Sequence, residues 1–306
     1  MSSGLLPDPE HCVSSAFSLF DHAEPVSPLV LASPHSGRLY PDSFLRQSRL
    51  DLLSLRRSED AYVDLLFDTA PDLGVPLLCA NFPRAFCDVN RYAWELDPGM
   101  FREALPEGSL TNTAKVRSGL GMMARVAGPG RGIYRQQLSV AEAHDRVTRY
   151  WLPYHEALEA MIARCVATFG TCLLLDLHSM PVLPHLRLPD IVLGDLHGSS
   201  CAGEVVDNLA RQLSAENLST GRNRPYAGGY ITARYGAPLR HVHVIQVEIS
   251  RGLYLDETTV TPGAGFTALR ETFRRLVPAL AEVAWTLPDV SRAARHSKQQ
   301  SADEQG

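Results

Sequence analysis

The sequence predicts an α/β fold, a mostly parallel sheet covered by helices on both faces. Short continuous apolar runs of strand length, such as Leu29 to Ala32 and Thr171 to Leu177, recur along the chain. Longer stretches with apolar residues at helical spacing lie between them. Strands that alternate with helices in this way assemble as a layered α/β sheet. Polar clusters follow the apolar runs, and in open parallel sheets ligands collect at the carboxyl ends of the strands.

Composition narrows the reading further. With 306 residues, 45% of them hydrophobic, the chain can bury a substantial core. We read residues 1–292 as one domain and 293–306 as a disordered polar tail. The formal charge of -5 comes from mixed signs without a basic run, which argues against nucleic acid as a partner. Residues 1–9 lack a basic region followed by an apolar stretch, and no run is long enough to span a bilayer. The expectation is a cytoplasmic protein with no membrane partner. Cys12, Cys79, Cys87, Cys165, Cys172 and Cys201 form no C-x-x-C pair, so reduced and mostly buried thiols are expected.

In chain order, the polar stretch to about Glu24 reads as an arm that packs on the domain or as a partly mobile segment, and Pro28 to Ala32 as a buried strand that delivers His35 at its carboxyl end. From Leu52 to Leu73 the spacing of Leu55, Ala61, Leu65, Leu66 and Ala70 predicts one helix stopped by Gly74. Val75 to Ala80 is a second strand. Residues 105–137 are rich in Gly and Ser and read as a long surface excursion of the kind that often forms a lid. Ser139 and Glu142 make a capping box for a helix that continues through Trp151, Leu158 and Cys165 to Gly170, kinked at Pro153. Thr171 to Leu177 is the clearest buried strand and ends on His178. Further strands are predicted at Asp190 to Leu193 and His243 to Ile249, with helices at Ala202 to Leu213 and Phe266 to Trp285.

His35 and His178, each after a buried strand, are the best candidates for metal ligation. A catalytic zinc takes three protein ligands from His and carboxylate and leaves a position for water. The H-x-x-E spacing is missing, since Arg38 stands three after His35, and Glu59 and Asp60 both remain open as the third ligand. In Asp88-Val89-Asn90-Arg91, preceded by Arg84, the arginine fork suits a carboxylate bidentately, against the alternative that Arg84 and Asp88 form a structural ion pair. Alternation in Val244 to Ile249 places Glu248 with Gln246 on one face. A carboxylate there is paired, metal-linked or catalytic, unless the strand is an edge facing water. His197, His241 and His243 are weaker candidates for supporting hydrogen bonds. Ser179 and Ser199 sit in no G-x-S-x-G elbow, and Gly128 to Gly132 lacks the Lys of a phosphate loop.

Taken in order, the clusters resemble the N-formylglutamate amidohydrolase family: Pro34-His35-Ser36-Gly37, Ser58-Glu59-Asp60-Ala61, Asp88-Val89-Asn90-Arg91, Asp176-Leu177-His178-Ser179, Gly228-Gly229-Tyr230-Ile231-Thr232 and Gln246-Val247-Glu248. The resemblance implies the three-layer α/β/α sandwich of zinc-dependent exopeptidases and acylases, with a mixed, mostly parallel sheet. It implies one zinc on His35, Asp60 and His178, selecting Asp60 over Glu59. It further implies that Arg84 stabilises the oxyanion, Asn90 and Arg91 hold a substrate carboxylate, and Glu248 is the general base. The expected substrate is a small N-acylated amino acid with a free carboxylate. Ile249 to Tyr254 departs from the stretch found in enzymes of histidine breakdown, which bears on the acyl group and amino acid. A peptide-cleaving metallocarboxypeptidase or cell-wall amidase, and a binding protein without turnover, are the competing readings.

Overall fold

A computed structural model of the chain describes residues 12–13, 16–21, 26–128, 130–183 and 185–287. The tail expected at 293–306 lies outside these residues, as does part of the N-terminal stretch expected to be an arm. What is described of that stretch packs as sheet. Cys12–Val13 (β1) pairs antiparallel with Phe17–Phe20 (β2). They join Leu29–Ser33 (β3), Leu77–Ala80 (β4), Cys172–Met180 (β5), Ile191–Gly194 (β6), Thr220–Arg222 (β7) and Val242–Ser250 (β8) in one eight-stranded sheet of order β1-β2-β4-β3-β5-β8-β6-β7. The centre, β4-β3-β5-β8, is parallel, while β6 runs antiparallel to β8 and β2 antiparallel to β4. Every residue of β3 and β5 is buried, as their unbroken apolar runs require. In β2 buried and half-buried residues alternate, a period too short to stand out among its polar neighbours.

The helices are α1 (Asp42–Gln47), α2 (Leu52–Arg56), α3 (Val63–Leu66), α4 (Ala114–Arg117), α5 (Val140–Arg146), α6 (Leu152–Phe169), α7 (Gly203–Ala215), α8 (Tyr230–Tyr235) and α9 (Phe266–Trp285). One face of the sheet, with Val30, Ala32, Leu174 and Val244, packs against Tyr154, Leu158 and Met161 of α6. The other, with Leu31, Leu175 and Ile245, packs against Leu209 of α7 and Phe273 and Leu276 of α9. This is the α/β/α sandwich, and each fully buried Leu or Phe in it contributes roughly 1.5 to 3 kcal/mol.

Two expectations are corrected, on the Leu52 to Leu73 helix and on Pro153. The predicted Leu52 to Leu73 helix is broken into α2, α3 and a 3-10 turn at Pro71–Leu73. Leu55 lies in the core on the α6 side, whereas Ala61, Leu66 and Ala70 lie in the core on the α9 side. The chain therefore passes from one face to the other, turning at Tyr62 (φ 64°). No single helix could bury both sets. The described part of 105–137 runs mostly exposed over the surface, as expected, but it is anchored to the core and walls the site: Met122, Met123 and Ile133 are fully buried, and Met122 exchanges backbone hydrogen bonds of 2.7 Å with Asp88 and Glu95. The kink expected at Pro153 is a π-helical turn at Val147–Trp151, which leads directly into α6. Pro153 then follows that turn as the second residue of α6. The capping box at Ser139 and Glu142 forms as expected. Among the described residues, Cys79, Cys87, Cys165, Cys172 and Cys201 are free and buried, and no helix is long and apolar enough to cross a membrane.

Candidate active site

The parallel register of β5 and β8 sets Asp176 beside Gln246 and His178 beside Glu248. Each strand thus contributes two polar side chains, two residues apart, on the α6 face near its carboxyl end. His35 follows β3 after a single residue, Pro34. Its loop lies so close to the end of β4 that a Cβ on Gly37 would fall 2.3 Å from the Phe82 carbonyl oxygen, which explains a glycine there. The turn that breaks the predicted helix brings in Asp60, whose backbone N–H donates to the His35 carbonyl at 3.0 Å.

His35, Asp60 and His178 converge, all buried, with their potential ligand atoms within 4.8 Å of one another. Asp60 Oδ2 lies 3.2 Å from His35 Nδ1 and 2.9 Å from His178 Nδ1. Behind each imidazole stands another carboxylate, Asp88 Oδ1 at 2.7 Å from His35 Nε2 and Asp176 Oδ2 at 3.0 Å from His178 Nε2. The second oxygen of Asp60 is held by Ser179 Oγ at 3.0 Å and Arg251 Nη2 at 3.2 Å. One oxygen is thereby anchored and the other aimed between the two rings. This is a donor set of two imidazole nitrogens and a carboxylate oxygen, with carboxylates orienting the rings, and it fits a divalent cation. Glu59, the alternative acid, points elsewhere: it accepts from Tyr40 at 2.7 Å and pairs with Arg56 at 3.2 Å.

These groups line a cavity of about 330 Å³ with Arg84, Asn90, Arg91, Lys115 and Glu248. Arg84 pairs with Asp88 at 3.0 Å and reaches within 3.8 Å of Asp60, so the ion pair and the pocket position posed as alternatives are both present. Asn90 is occupied within the protein: its Oδ1 accepts from Ile231 N–H at 2.8 Å, and its Nδ2 lies 3.1 Å from His178 Nε2. A Cβ on Gly229 would fall 2.4 Å from that amide, so the glycine makes room for it. Arg91 is buried and donates to the carbonyls of Leu120 at 3.0 Å and Asn90 at 2.6 Å. Glu248, also buried, accepts from Gln246 at 2.7 Å.

Burial favours the neutral form of Asp60, but hydrogen bonds from His178 and His35 and the charge of Arg84 outweigh it and hold the carboxyl well below the usual range. Glu248 goes the other way. Burial pushes it up to about 7, with His178 and Arg84 opposing and Asp60 adding to the rise. Two carboxyls a short way apart are thus kept in different states, one a permanent anion and the other poised to exchange a proton near neutral pH.

The arrangement includes groups for which sequence reasoning assigned no such role. Asp176 and Asp88 back the two imidazoles, Arg251 and Ser179 fix Asp60, and Tyr226 and Lys115 line the cavity. Asp176 was detectable as the residue two before His178 on one strand face. His197, His241 and His243 do not line the cavity, and His243 Nδ1 accepts from the Ala202 N–H at 3.2 Å.

The chain matches the family model for N-formylglutamate amidohydrolase over residues 27–255. It is 33% identical over 270 residues to an N-formylglutamate deformylase of Pseudomonas aeruginosa, covering 84% of this chain and 93% of that one. The identity to an N-formylglutamate deformylase of Pseudomonas putida is 29% over 238 residues, 76% of this chain and 83% of that one. The crystal structure of N-formylglutamate amidohydrolase from Ralstonia eutropha JMP134 superposes with a TM-score of 0.83 at 34% identity, covering 89% of this chain and 99% of that chain. A gene product of Agrobacterium tumefaciens, 18% identical with a TM-score of 0.59 over 88% of this chain and 96% of that one, shares the fold. On this evidence, and in agreement with the motifs in its sequence, the chain belongs to the N-formylglutamate amidohydrolase family.

Proposed function

We propose that the chain hydrolyses the formyl amide bond of N-formylglutamate, releasing formate and glutamate, with one zinc ion held by His35, Asp60 and His178. The observation that carries this reading is the convergence of two buried imidazole nitrogens and one carboxylate oxygen beside a buried Glu poised near neutrality. A bound zinc supplies Lewis acidity and lowers the pKa of a water to about 7.

Glu248 then accepts the proton of the attacking water and afterwards delivers it to the leaving amine, tasks for which a carboxyl titrating near 7 is suited. Gln246 donates to Glu248 and holds its orientation. Arg84 faces the negative charge that develops on the amide oxygen. A preorganised donor of that kind contributes roughly 2.7 to 4 kcal/mol to barrier lowering. Arg91, fixed by two backbone carbonyls, receives a substrate carboxylate, and Asn90 keeps the segment that carries Arg91 in register with His178.

Formate release from N-formylglutamate, measured together with metal content, tests the reading. His35→Ala and His178→Ala are each expected to lose both metal and activity while the fold persists. Full metal occupancy in both variants would overturn the ligand assignment, and a wild-type protein that releases no formate would overturn the reaction.

A further inference from the structure

The cations that line the cavity fall into two kinds. Arg84 is neutralised by Asp88 at 3.0 Å and Asp60 at 3.8 Å. Arg251 is neutralised by Asp60 at 3.2 Å and Glu257 at 3.7 Å. Arg91 and Lys115 differ: among the described residues neither forms an ion pair, although both line the cavity. Arg91 is buried, and its Nε and Nη1 are committed to backbone carbonyls. Lys115 sits at the exposed rim, on α4.

A buried guanidinium without a carboxylate is costly unless something anionic enters to meet it. Lys115 lines the same cavity from its exposed rim, so an anion that enters to meet Arg91 finds a second cation there. The position of Lys115 is built rather than incidental. Thr113 caps α4 by accepting from Val116 N–H at 3.0 Å and donates to Glu95 at 2.5 Å. Glu95 in turn bonds Met122 N–H at 2.7 Å through its carbonyl, within the wall whose Leu120 carbonyl holds Arg91. The segment that fixes Arg91 therefore also carries Lys115.

We propose that Lys115 is a specificity-determining residue that binds the second carboxylate of a dicarboxylic N-acyl amino acid while Arg91 binds the first. This rests on the reading of the site given under Proposed function and adds to it the residue that separates glutamate from uncharged side chains. A monocarboxylate would leave one of the two cations unmatched. A dicarboxylate satisfies both, and its amide is left to face Glu248 and the His35, Asp60, His178 cluster.

The test compares kcat/KM on N-formylglutamate with that on N-formylglutamine, which has nearly the same shape and one charge fewer. In the wild type the ratio favours glutamate. In Lys115→Met that ratio is expected to fall about ten- to a hundredfold, the size of a charge-assisted hydrogen bond, carried mainly by KM. Lys115→Arg is expected to restore most of it, which separates a charge requirement from damage to α4. A ratio unchanged within about twofold in Lys115→Met would overturn the assignment. So would an equal loss on both substrates. Calorimetric binding of the two compounds to Glu248→Gln, with and without Lys115→Met, reads the same ratio without turnover. If the wild type releases no formate, the proposed reaction fails, and the binding ratio still decides the role of Lys115.

Discussion

At the residue scale the site turns on how single side chains are held. Glu248, raised to about 7 by burial, has to be ionised to accept a proton, so kcat/KM is expected to climb with pH through about 7 and level off above it. Glu248→Gln should keep its metal while kcat falls about 10²- to 10⁴-fold and that acid limb disappears. Metal loss in this variant would make Glu248 a ligand instead. Asp88 and Asp176 orient the two imidazoles, and Asp88→Asn or Asp176→Asn is expected to weaken metal binding roughly 10- to 100-fold in a competition titration with a chelator. The histidines, Arg84, Arg91 and Glu248 were visible in the sequence because each stands in a polar cluster beside an apolar run. Asp88 was visible only as a partner for Arg84. Nothing in a linear sequence distinguishes a carboxylate that neutralises an arginine from one that also braces an imidazole across 53 positions of chain.

At the element scale, the helix that starts at Ser139 is more than a cover for the sheet. Its π-helical turn ends at Trp151, whose indole N–H donates to the Arg91 carbonyl at 3.0 Å, and one turn on His155 Nε2 donates to the Val89 carbonyl at 2.9 Å. Tyr235 of α8 donates to the remaining His155 nitrogen at 2.7 Å, so the imidazole is neutral and fully used. Burial lowers its pKa to about 3. The folded value lies below the ordinary 6.5, so below that pH the unfolded chain takes up a proton that the folded chain refuses. The stability is complete above 6.5 and declines as pH falls toward 3. Urea unfolding at pH 7 and pH 5 should differ by about 2 kcal/mol more in the wild type than in His155→Gln. Strand and helix positions were largely readable from apolar periodicity, as Phe266–Trp285 shows. The exception at Leu52 to Leu73 is instructive. Leu55, Ala61, Leu66 and Ala70 keep helical spacing because each is buried, yet they are buried on opposite faces of a sheet, a distinction that periodicity does not encode.

At the scale of the whole molecule, His35 and Asp60 come from the early part of the chain and His178 from its middle, so a metal bound to all three ties distant segments together. A ligand that binds only the folded state at 100 times its dissociation constant stabilises by about 2.7 kcal/mol. Removing zinc with a chelator is therefore expected to lower Tm by several degrees, and His35→Ala should melt at one temperature with or without the chelator. The sheet order has a further outcome for biosynthesis. Val242–Ser250 is the last long strand to be made, yet its place is between two strands made earlier, Cys172–Met180 and Ile191–Gly194. Until it leaves the ribosome, the nascent chain carries two unpaired edges in the middle of its future core, which are templates for intermolecular pairing. A chain ending at His241 should accumulate as aggregate rather than as a smaller folded protein, and its solubility should be recovered by supplying residues 242–287 as a separate fragment during refolding.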